Sequence, residues 1–295
     1  MDDPQIPVAE TGGHEITGQT SAYPPSGHFL RWLRLTADTR GPVDVAGSMP
    51  VLGDYFDHTG GVRLGPLAAF TDLVAGILSV RNAAPDWVAT NDLQIHLTGS
   101  ATQGMLRSIT RPTRVGRSNI VSDTEVFDET GQLVALAIIT YSRLSRQEGG
   151  PALAPPSELR ELAEPAPLEA PRQNMDALLG FAIDAAAGTI SFDHRPLLRN
   201  STGAIQGGVI ATAMEWLAAD MASLASGQPC HSTFLQVHYL AQGRKPPFEV
   251  RGRIAARAGQ ETLIRVEAFE VETSRVLARG LVRSSVTSAA PGPRA

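Results

Sequence analysis

The chain has 295 residues, 42% apolar and 19% charged, which is typical of a globular protein of about two domains. A net charge of −5 favours neither a nucleic-acid partner nor an anionic membrane, and no apolar run looks long enough to cross a bilayer. The single cysteine, Cys230, excludes an internal disulfide and a cysteine-based metal cluster. The first residues lack the apolar core of a secretory signal, so the cytoplasm is the expected location.

The N-terminal half is predicted to be one unit over residues 26–146, after a polar, Gly- and Pro-rich tail over 1–25. The segment from His28 to Arg40 is predicted to form a short helix or a strand, and 41–50 to form a loop. A helix is predicted over 65–80. Four strands bounded by turn residues are then predicted at 88–98, 103–112, 118–128 and 132–144.

A Pro-rich linker is predicted over residues 147–173, with a short helix near Ser157–Ala163. A second unit over 174–288 repeats the plan, and residues 289–295 form a tail. Its long helix lies within Asn200–Ala225 and carries an apolar stripe at helical spacing. Its four strands are predicted near 232–241, 247–257, 261–271 and 275–286.

The two units contain the same glycine-rich helix opening, 143 residues apart. The earlier copy reads DHTGGVRLG from Asp57, and the later copy reads NSTGAIQGG from Asn200. An acid follows at the same distance in each copy, as Asp72 and as Glu215. Further along, the strand sequences LQIHL and LQVHYL match at a separation of 142. A repeat this long indicates two domains of one fold rather than a solenoid.

The acid of each helix lies among small residues. Glu215 has alanines one turn away on either side, and Asp72 has alanine, glycine and serine neighbours. Such a face leaves room for another group to approach the acid. The alternative is that the acid is simply solvated on the polar face of the helix, which is the commoner case for an arbitrary amphipathic helix. The pair Gly207 and Gly208 begins the second helix, where free N–H groups and the helix dipole favour a carbonyl oxygen or an anion.

The opening N-x-x-G-x-x-Q-G-G, with an acid nine positions after Gln206, resembles that of the phenylacetate-pathway-type acyl-CoA thioesterases of the hotdog fold. The resemblance covers both halves. It therefore implies an α+β double hotdog, in which each of two tandem units has a long central helix wrapped by an antiparallel sheet. It implies an acyl-CoA substrate and no cofactor. No metal site is expected either, because none of the seven histidines pairs with Cys or acids at metal-ligand spacing. A homo-oligomer of such chains is expected, with its size left open.

Carried over to this sequence, the resemblance implies that Glu215 is the general base or nucleophile of thioester hydrolysis. The N–H of Gly207 would polarise the thioester carbonyl, and Asn200 would orient water or the thioester. Thr233 lies eighteen residues after the acid, where part of the family has Ser or Thr. In this fold the sites lie between units, so Glu215 would face the other half.

A second candidate site is implied in the first unit, with Asp72 as the acid and Thr90 eighteen residues later. It is either active or a copy that only completes the fold. Substrate contacts are predicted from Gln206, Gly208, Arg63, Thr90 and His231.

Gln206 stands where the family usually has His, and Arg63 takes that position in the first unit. Glutamine can hydrogen-bond but cannot carry a proton, so chemistry that depends on this His is disfavoured. Two alternatives stay open: a hotdog enoyl-CoA hydratase or dehydratase, and a non-catalytic acyl-CoA-binding protein. The sequence does not indicate the length or aromatic character of the acyl group.

Overall fold

The computed structural model describes residue 24 and residues 27–57, 59–144, 159–161 and 175–287. These residues form four α-helices and thirteen β-strands. The helices are α1 (Phe29–Trp32), α2 (Leu64–Ala83), α3 (Met175–Leu179) and α4 (Gly207–Ser226). The strands of the first half are β1 (Thr36–Asp38), β2 (Val45–Pro50), β3 (Trp87–Leu97), β4 (Met105–Val115), β5 (Asn119–Phe127), β6 (Leu133–Leu144) and β7 (Leu159–Glu161). Those of the second half are β8 (Ala182–Asp184), β9 (Thr189–Phe192), β10 (Cys230–Tyr239), β11 (Phe248–Ala258), β12 (Glu261–Glu270) and β13 (Arg275–Val286).

All thirteen strands belong to one sheet, in the order β7-β1-β2-β4-β5-β6-β3-β10-β13-β12-β11-β9-β8. The first unit supplies the strands up to β3, and the second unit supplies the same pattern in reverse from β10. The fold is therefore an α+β double hotdog, as the sequence predicts. Each unit wraps its strands around one long helix because neither the helix nor the sheet can otherwise bury its apolar face.

The two units join along β3 and β10, which pair antiparallel with Gln94 opposite Gln236. These two residues occupy matching positions in the sequence repeat, so the join lies on a pseudo-twofold axis. Pairing along this line removes an exposed edge from each half-sheet.

The central helices α2 and α4 cross in close contact inside the sheet. A Cβ on Gly65 would lie 2.9 Å from the Cα of Thr212, and a Cβ on Gly208 would lie 2.6 Å from the Cβ of Ala69. The two contacts are related by the repeat. Glycine is required at both positions because any side chain would push the helix backbones apart.

Three local predictions need correction. The predicted loop over 41–50 is wrong where β2 forms, because its alternate residues Val45 and Met49 are buried in the core. The segment from His28 contains both a helix, α1, and a strand, β1. The short helix predicted near Ser157–Ala163 is wrong at Leu159–Glu161, which pairs with β1 as an edge strand.

The remaining linker residues and both tails, apart from residue 24, lie outside the described residues. The domain limits given above therefore stay predictions. Among the described residues, α2 is long and apolar enough to cross a membrane by length and composition, contrary to the expectation from sequence. Its most apolar window is 78% buried inside the protein, as is usual for the central helix of a globular core.

Candidate active site

Glu215 extends from α4 onto the first turn of α2. Its Oε2 accepts a hydrogen bond from the backbone N–H of Gly65 at 3.3 Å and another from Nε of Arg63 at 3.3 Å. The Glu215 side chain is 2% exposed and that of Arg63 is 16% exposed, so the ion pair is largely buried. The Arg63 guanidinium also lies 4.6 Å from the centre of the Trp216 ring. The negative charge of Glu215 is thus compensated by Arg63, which the Trp216 ring helps to keep in position.

Asp72 is the matching acid on α2, and its surroundings are different. Its Oδ1 accepts hydrogen bonds from Oγ1 of Thr90 and from the hydroxyl of Tyr141, both at 2.8 Å. No described residue donates to its Oδ2, and no described cation pairs with it. Burial raises the pKa of Asp72, and the bonds from Tyr141 and Thr90 oppose that rise.

Two tyrosines, Tyr141 and Tyr239, are close enough to Asp72 for its charge to affect them. Tyr141 also contacts the backbone carbonyl of Asp72, and burial together with the charge of Asp72 raises the pKa of Tyr141 well above its ordinary value. Burial and the same charge raise the pKa of Tyr239. The Tyr239 hydroxyl donates to the carbonyl oxygen of Gly207 at 2.9 Å, which links this cluster to the start of α4.

The start of α4 offers backbone donors at this point. The N–H groups of Gly207 and Gly208 have no acceptor among the described residues, whereas Gln206 accepts from the N–H of Val209 through its own Oε1 at 3.1 Å. The side chain of Gln206 is therefore the helix cap. Unpaired N–H groups at a helix start attract a carbonyl oxygen or an oxyanion.

The starts of α2 and α4 differ in how many backbone N–H groups remain without an acceptor. At α2, the N–H of Gly65 is taken by Glu215 and Pro66 has no N–H to give. Asp72 holds the place of Glu215 relative to Gly208, but its side chain is one methylene shorter and makes no bond to α4. In the described part of the chain, α4 is therefore the helix that begins with two N–H groups without an acceptor, and Asp72 is the acid at the position related to it by the repeat.

Comparisons with known proteins agree with this architecture. Residues 8–138 match the family model described as the acyl-CoA thioesterase C-terminal domain, and this match includes Asp72 and Thr90. No curated protein shows significant similarity to the chain.

Three solved structures show the same fold. An acyl-ACP thioesterase from Bacteroides thetaiotaomicron is 15% identical, with 82% of this chain and 98% of that chain covered and a TM-score of 0.57. The tesB protein of Mycobacterium avium subs paratuberculosis is 12% identical, with 85% and 96% covered and a TM-score of 0.58. A hot dog-fold protein of unknown function from Alicyclobacillus acidocaldarius is 14% identical, with 84% and 95% covered and a TM-score of 0.55.

The chain therefore has the double-hotdog fold, and its residues 8–138 match the acyl-CoA thioesterase C-terminal domain. Within this double hotdog, Glu215 does face the other unit. Its predicted partner Gly207, however, lies eight residues earlier on the same helix, about 12 Å away along the axis. The structure does not bring Glu215 to the Gly207 N–H, because Glu215 extends across the helix crossing to the start of α2 in the other unit.

Two further residues predicted to act with Glu215 are occupied elsewhere. The Oδ1 of Asn200 accepts from the N–H and hydroxyl of Thr202 and from the N–H of Ala204, so it shapes its own loop. Thr233 donates to the carbonyl of Arg283 at 3.4 Å, not to Glu215. Neither side chain is brought to the Glu215 carboxylate.

His231, predicted to contact substrate, is the second residue of β10, and its buried Nδ1 has no hydrogen-bond partner among the described residues. Its nearest repeat counterpart is Val88, two residues before Thr90. Within the described ranges, no group of three His, Cys, Asp or Glu side chains could hold a metal ion.

Sequence reasoning missed Tyr141 and Tyr239. Tyr141 has Arg283 as its repeat counterpart, and Tyr239 has Leu97, so the duplication gives no signal for either residue. Both lie on strands that are far from Asp72 in sequence, and the fold brings those strands close to it. An asymmetric search, for polar residues present in only one repeat, would have selected them.

Proposed function

We propose that this double hotdog hydrolyses acyl-CoA thioesters at a composite site formed by Asp72 of α2 and the N-terminal turn of α4. The observation that carries the proposal is the contrast between the two acids. Among the described residues, Asp72 has no cationic partner and the N–H groups at the start of α4 have no acceptor, whereas Glu215 is bound by Arg63 and Gly65. The family match over the unit that contains Asp72 supports the same choice.

The proposed chemistry needs only groups at this site. Ionised Asp72 takes a proton from a water molecule as the water oxygen attacks the thioester carbonyl carbon. The N–H groups of Gly207 and Gly208 stabilise the negative charge that forms on the carbonyl oxygen. The C–S bond then breaks, the thiolate of coenzyme A takes up the proton, and the free acid is released.

The environment of Asp72 suits a general base. Burial raises its pKa towards the range in which a carboxylate accepts a proton from water more readily. Thr90 and Tyr141 hold one oxygen in place, which leaves the other to face a water molecule. Thr90 therefore serves as a positioning residue, in the place that the resemblance implies for it.

The hydratase alternative receives no support from these contacts. That chemistry uses an acid and a histidine as a pair, and the two side chains bonded to Asp72 are hydroxyls. A non-catalytic acyl-CoA-binding role differs from the proposal only in turnover, so the activity assay separates the two.

The test is release of free thiol from a panel of acyl-CoAs by wild type, Asp72→Asn and Glu215→Gln. Each substitution keeps the shape of the side chain and removes its charge. We expect Asp72→Asn to lower kcat by roughly 100-fold or more, the usual contribution of a general base. We expect Glu215→Gln to keep turnover within about tenfold per folded molecule, since that acid supplies no step.

The reverse result, with Glu215→Gln inactive and Asp72→Asn active, would reject the assignment of the site. If wild type hydrolyses none of the thioesters but binds acyl-CoA tightly, the non-catalytic role would be established instead. Circular dichroism and thermal melting of each variant identify any loss that comes from unfolding.

A further inference from the structure

A cluster of exposed cations, the basic loop cluster, lies beside the start of α4. It consists of Arg199, on the loop before α4, and of Arg244 and Lys245, on the loop after β10. The two loops are in contact, because the N–H of Ile205 donates to the carbonyl oxygen of Gly243 at 2.8 Å. The cluster is therefore part of the surroundings of the helix start.

Hydrogen bonds hold the Arg244 side chain against the loop that leads into α4. Its Nη1 donates to the carbonyl oxygen of Thr202 at 2.6 Å, and its Nη2 donates to Oε1 of Gln242 at 2.7 Å. A Cβ on Gly203 would lie 3.7 Å from the same Nη1. Gly203 is four residues before Gly207, so their Cα atoms are at most about 14 Å apart. The Arg244 charge is thus close to the N–H groups proposed to bind the thioester oxygen.

The three cations form no ion pair with a described acid. Nη2 of Arg199 donates to the carbonyl oxygen of His194 at 3.3 Å. Glu270 is 3% exposed, and its Oε1 accepts from the backbone N–H groups of Arg244 and Lys245 at 2.6 and 3.1 Å. This carboxylate fixes the backbone of the loop, so the charged ends of the side chains remain available to an anion.

The pKa of His194 shows that two of these charges lie close together. Burial lowers this pKa, and the positive charges of Arg199 and Arg244 lower it further, against an opposing effect of Glu270. Because one imidazole is affected by both guanidinium groups, the two arginines belong to the same patch of surface.

The second repeat carries the basic loop cluster and the first does not. The matching positions in the first repeat hold uncharged residues, which are Phe56, Thr102 and Gln103. The loops beside α2 carry acids instead, since Asp57 corresponds to Asn200 and Glu129 corresponds to Val271. The duplication has therefore diverged towards opposite charge at its two helix starts.

An anion is attracted to the start of α4 more strongly than to the start of α2. At α2, the charge of Arg63 is paired with Glu215. At α4, the cluster stands beside two N–H groups that have no acceptor among the described residues. The loop charges and the backbone donors thus independently favour the same helix start.

Strand register places the basic loop cluster at the same end of the sheet as the Asp72 site. Asp92, two residues after Thr90, lies opposite His238. Strand β10 ends at the residue after His238 and leads into the loop of the cluster. Thr90 bonds to Asp72, so the acid, its threonine and the cations share one end of the sheet.

From this arrangement we infer that the basic loop cluster binds the phosphate groups of coenzyme A while the thioester lies between Asp72 and the start of α4. The inference rests on the proposed function, because it names a contact of the same substrate. The phosphates of coenzyme A are anionic, and the long pantetheine arm separates them from the sulfur. Guanidinium groups bind phosphate through paired N–H donors, and an ammonium binds it as a point charge. The cluster therefore sets the affinity for the carrier of the acyl group and takes no part in bond breaking.

The binding test is isothermal titration calorimetry of free coenzyme A with the full chain. The variants are Lys245→Gln and the triple variant that also contains Arg199→Gln and Arg244→Gln. Arg257→Gln is the matched control, because Arg257 is an exposed arginine near the opposite end of β11. We expect the triple variant to raise the Kd of coenzyme A at least about tenfold and Lys245→Gln to raise it about twofold or more. The control should bind like wild type.

The kinetic test compares an acyl-CoA with the matching acyl-pantetheine, which has the same arm and no diphosphate or nucleotide. The triple variant should raise KM for the acyl-CoA by a similar factor and leave kcat unchanged. Its KM for the acyl-pantetheine should equal that of wild type. Thermal melting of each variant identifies a loss that comes from unfolding of the loops.

Equal affinity of wild type and the triple variant for coenzyme A would overturn the inference. So would wild type that binds no coenzyme A at about 1 mM. A triple variant that loses acyl-pantetheine turnover as strongly as acyl-CoA turnover would also overturn it, because the phosphates would then not be what the cluster recognises.

The inference and the proposed function fail separately, because binding of coenzyme A needs no turnover. Asp72→Asn should bind coenzyme A like wild type. A chain that binds coenzyme A through the cluster but hydrolyses no thioester would retain the inference and reject the hydrolase. A chain that hydrolyses acyl-CoA and acyl-pantetheine with equal KM would do the reverse.

Discussion

The carboxylate of Glu215 accepts a hydrogen bond from the Gly65 N–H at 3.3 Å, so an acid from the second unit rests on the first turn of the central helix of the first. Arg63 completes this contact as a buried ion pair. The matching acid, Asp72, does not bond to the start of α4. Glu215 is one methylene longer than Asp72 and pairs with Arg63, so it connects the two helices. Asp72 lacks both features, and one of its carboxylate oxygens accepts no hydrogen bond from a described residue.

Replacing Arg63 with Met should destabilise the protein strongly. It would leave the Glu215 charge buried without a partner, which typically costs about 3–5 kcal/mol. Urea unfolding of Arg63→Met measures this cost. The double variant Arg63→Met with Glu215→Gln should recover most of the loss, because no buried charge is then unpaired. If the urea midpoint of Arg63→Met equals that of wild type, the ion pair between Arg63 and Glu215 contributes little to stability.

The two glycines at the start of α4 should respond differently to alanine. A Cβ on Gly208 would lie 2.6 Å from the Cβ of Ala69 on the facing helix, so Gly208→Ala should cost about 1–3 kcal/mol and lower turnover. The atoms nearest to a Cβ on Gly207 belong to the Tyr239 side chain, at 3.4 Å, which is an ordinary contact distance, so Gly207→Ala should stay within about 1 kcal/mol of wild type. Chemical denaturation checks both, and equal losses would contradict the close crossing described above.

Removing the Tyr141 hydroxyl should change the pH profile of the reaction. The hydrogen bond from Tyr141 lowers the pKa of Asp72 against the effect of burial, so Tyr141→Phe should raise that pKa. The acid limb of the kcat/KM profile should then move to higher pH, as expected when an ionised group loses a hydrogen bond.

Thr90→Val should move this acid limb in the same direction, because Thr90 makes the second bond to Asp72. Thr233→Val is the matched control, since the hydroxyl of Thr233 bonds to a backbone carbonyl elsewhere. Profiles that superimpose for all four proteins would show that Asp72 does not control the acid limb.

Asp72 should also make stability depend on pH, in a direction fixed by its raised pKa. The folded state binds the Asp72 proton more tightly than the unfolded state, so this residue lowers the free energy of unfolding as pH rises. Its contribution is favourable below about pH 3.9 and is lost as the pH rises from there through the folded pKa. The free energy of unfolding of wild type minus that of Asp72→Asn should therefore fall over this window and then level off. A difference that rises with pH would mean that the folded protein stabilises the ionised acid.

Much of the fold is evident from the sequence. The 143-residue repeat, the helical spacing around Glu215 and the alternating strand patterns are local features, and each unit must satisfy them by itself. They predicted two long central helices and eight principal strands in the correct order. The strand β2 was missed because its Gly and Ser residues weaken the apolar pattern, and β7 was missed because an edge strand of three residues has almost no pattern of its own.

The residue types of the proposed site are evident from the sequence, since an acid, a threonine eighteen residues later and a glycine-rich helix start all occur in the repeat. Their grouping is not. The sequence suggests Glu215 with the helix start of its own unit, whereas the structure places Glu215 on the helix start of the other unit. Tyr141 carries no repeat signal, and the role of Arg63 depends on a contact with a residue 152 positions away.

The sequence by itself determined that there are two units, each with a helix that carries one acid and begins at glycines. The tertiary structure decided which acid meets which helix start, and which acid is neutralised there. The physical reason is that side-chain periodicity specifies a face of a helix but not what covers it. Here the close crossing at Gly65 and Gly208 sets the partners, and the reach of a side chain across that crossing, one methylene longer in Glu215 than in Asp72, decides which site is closed.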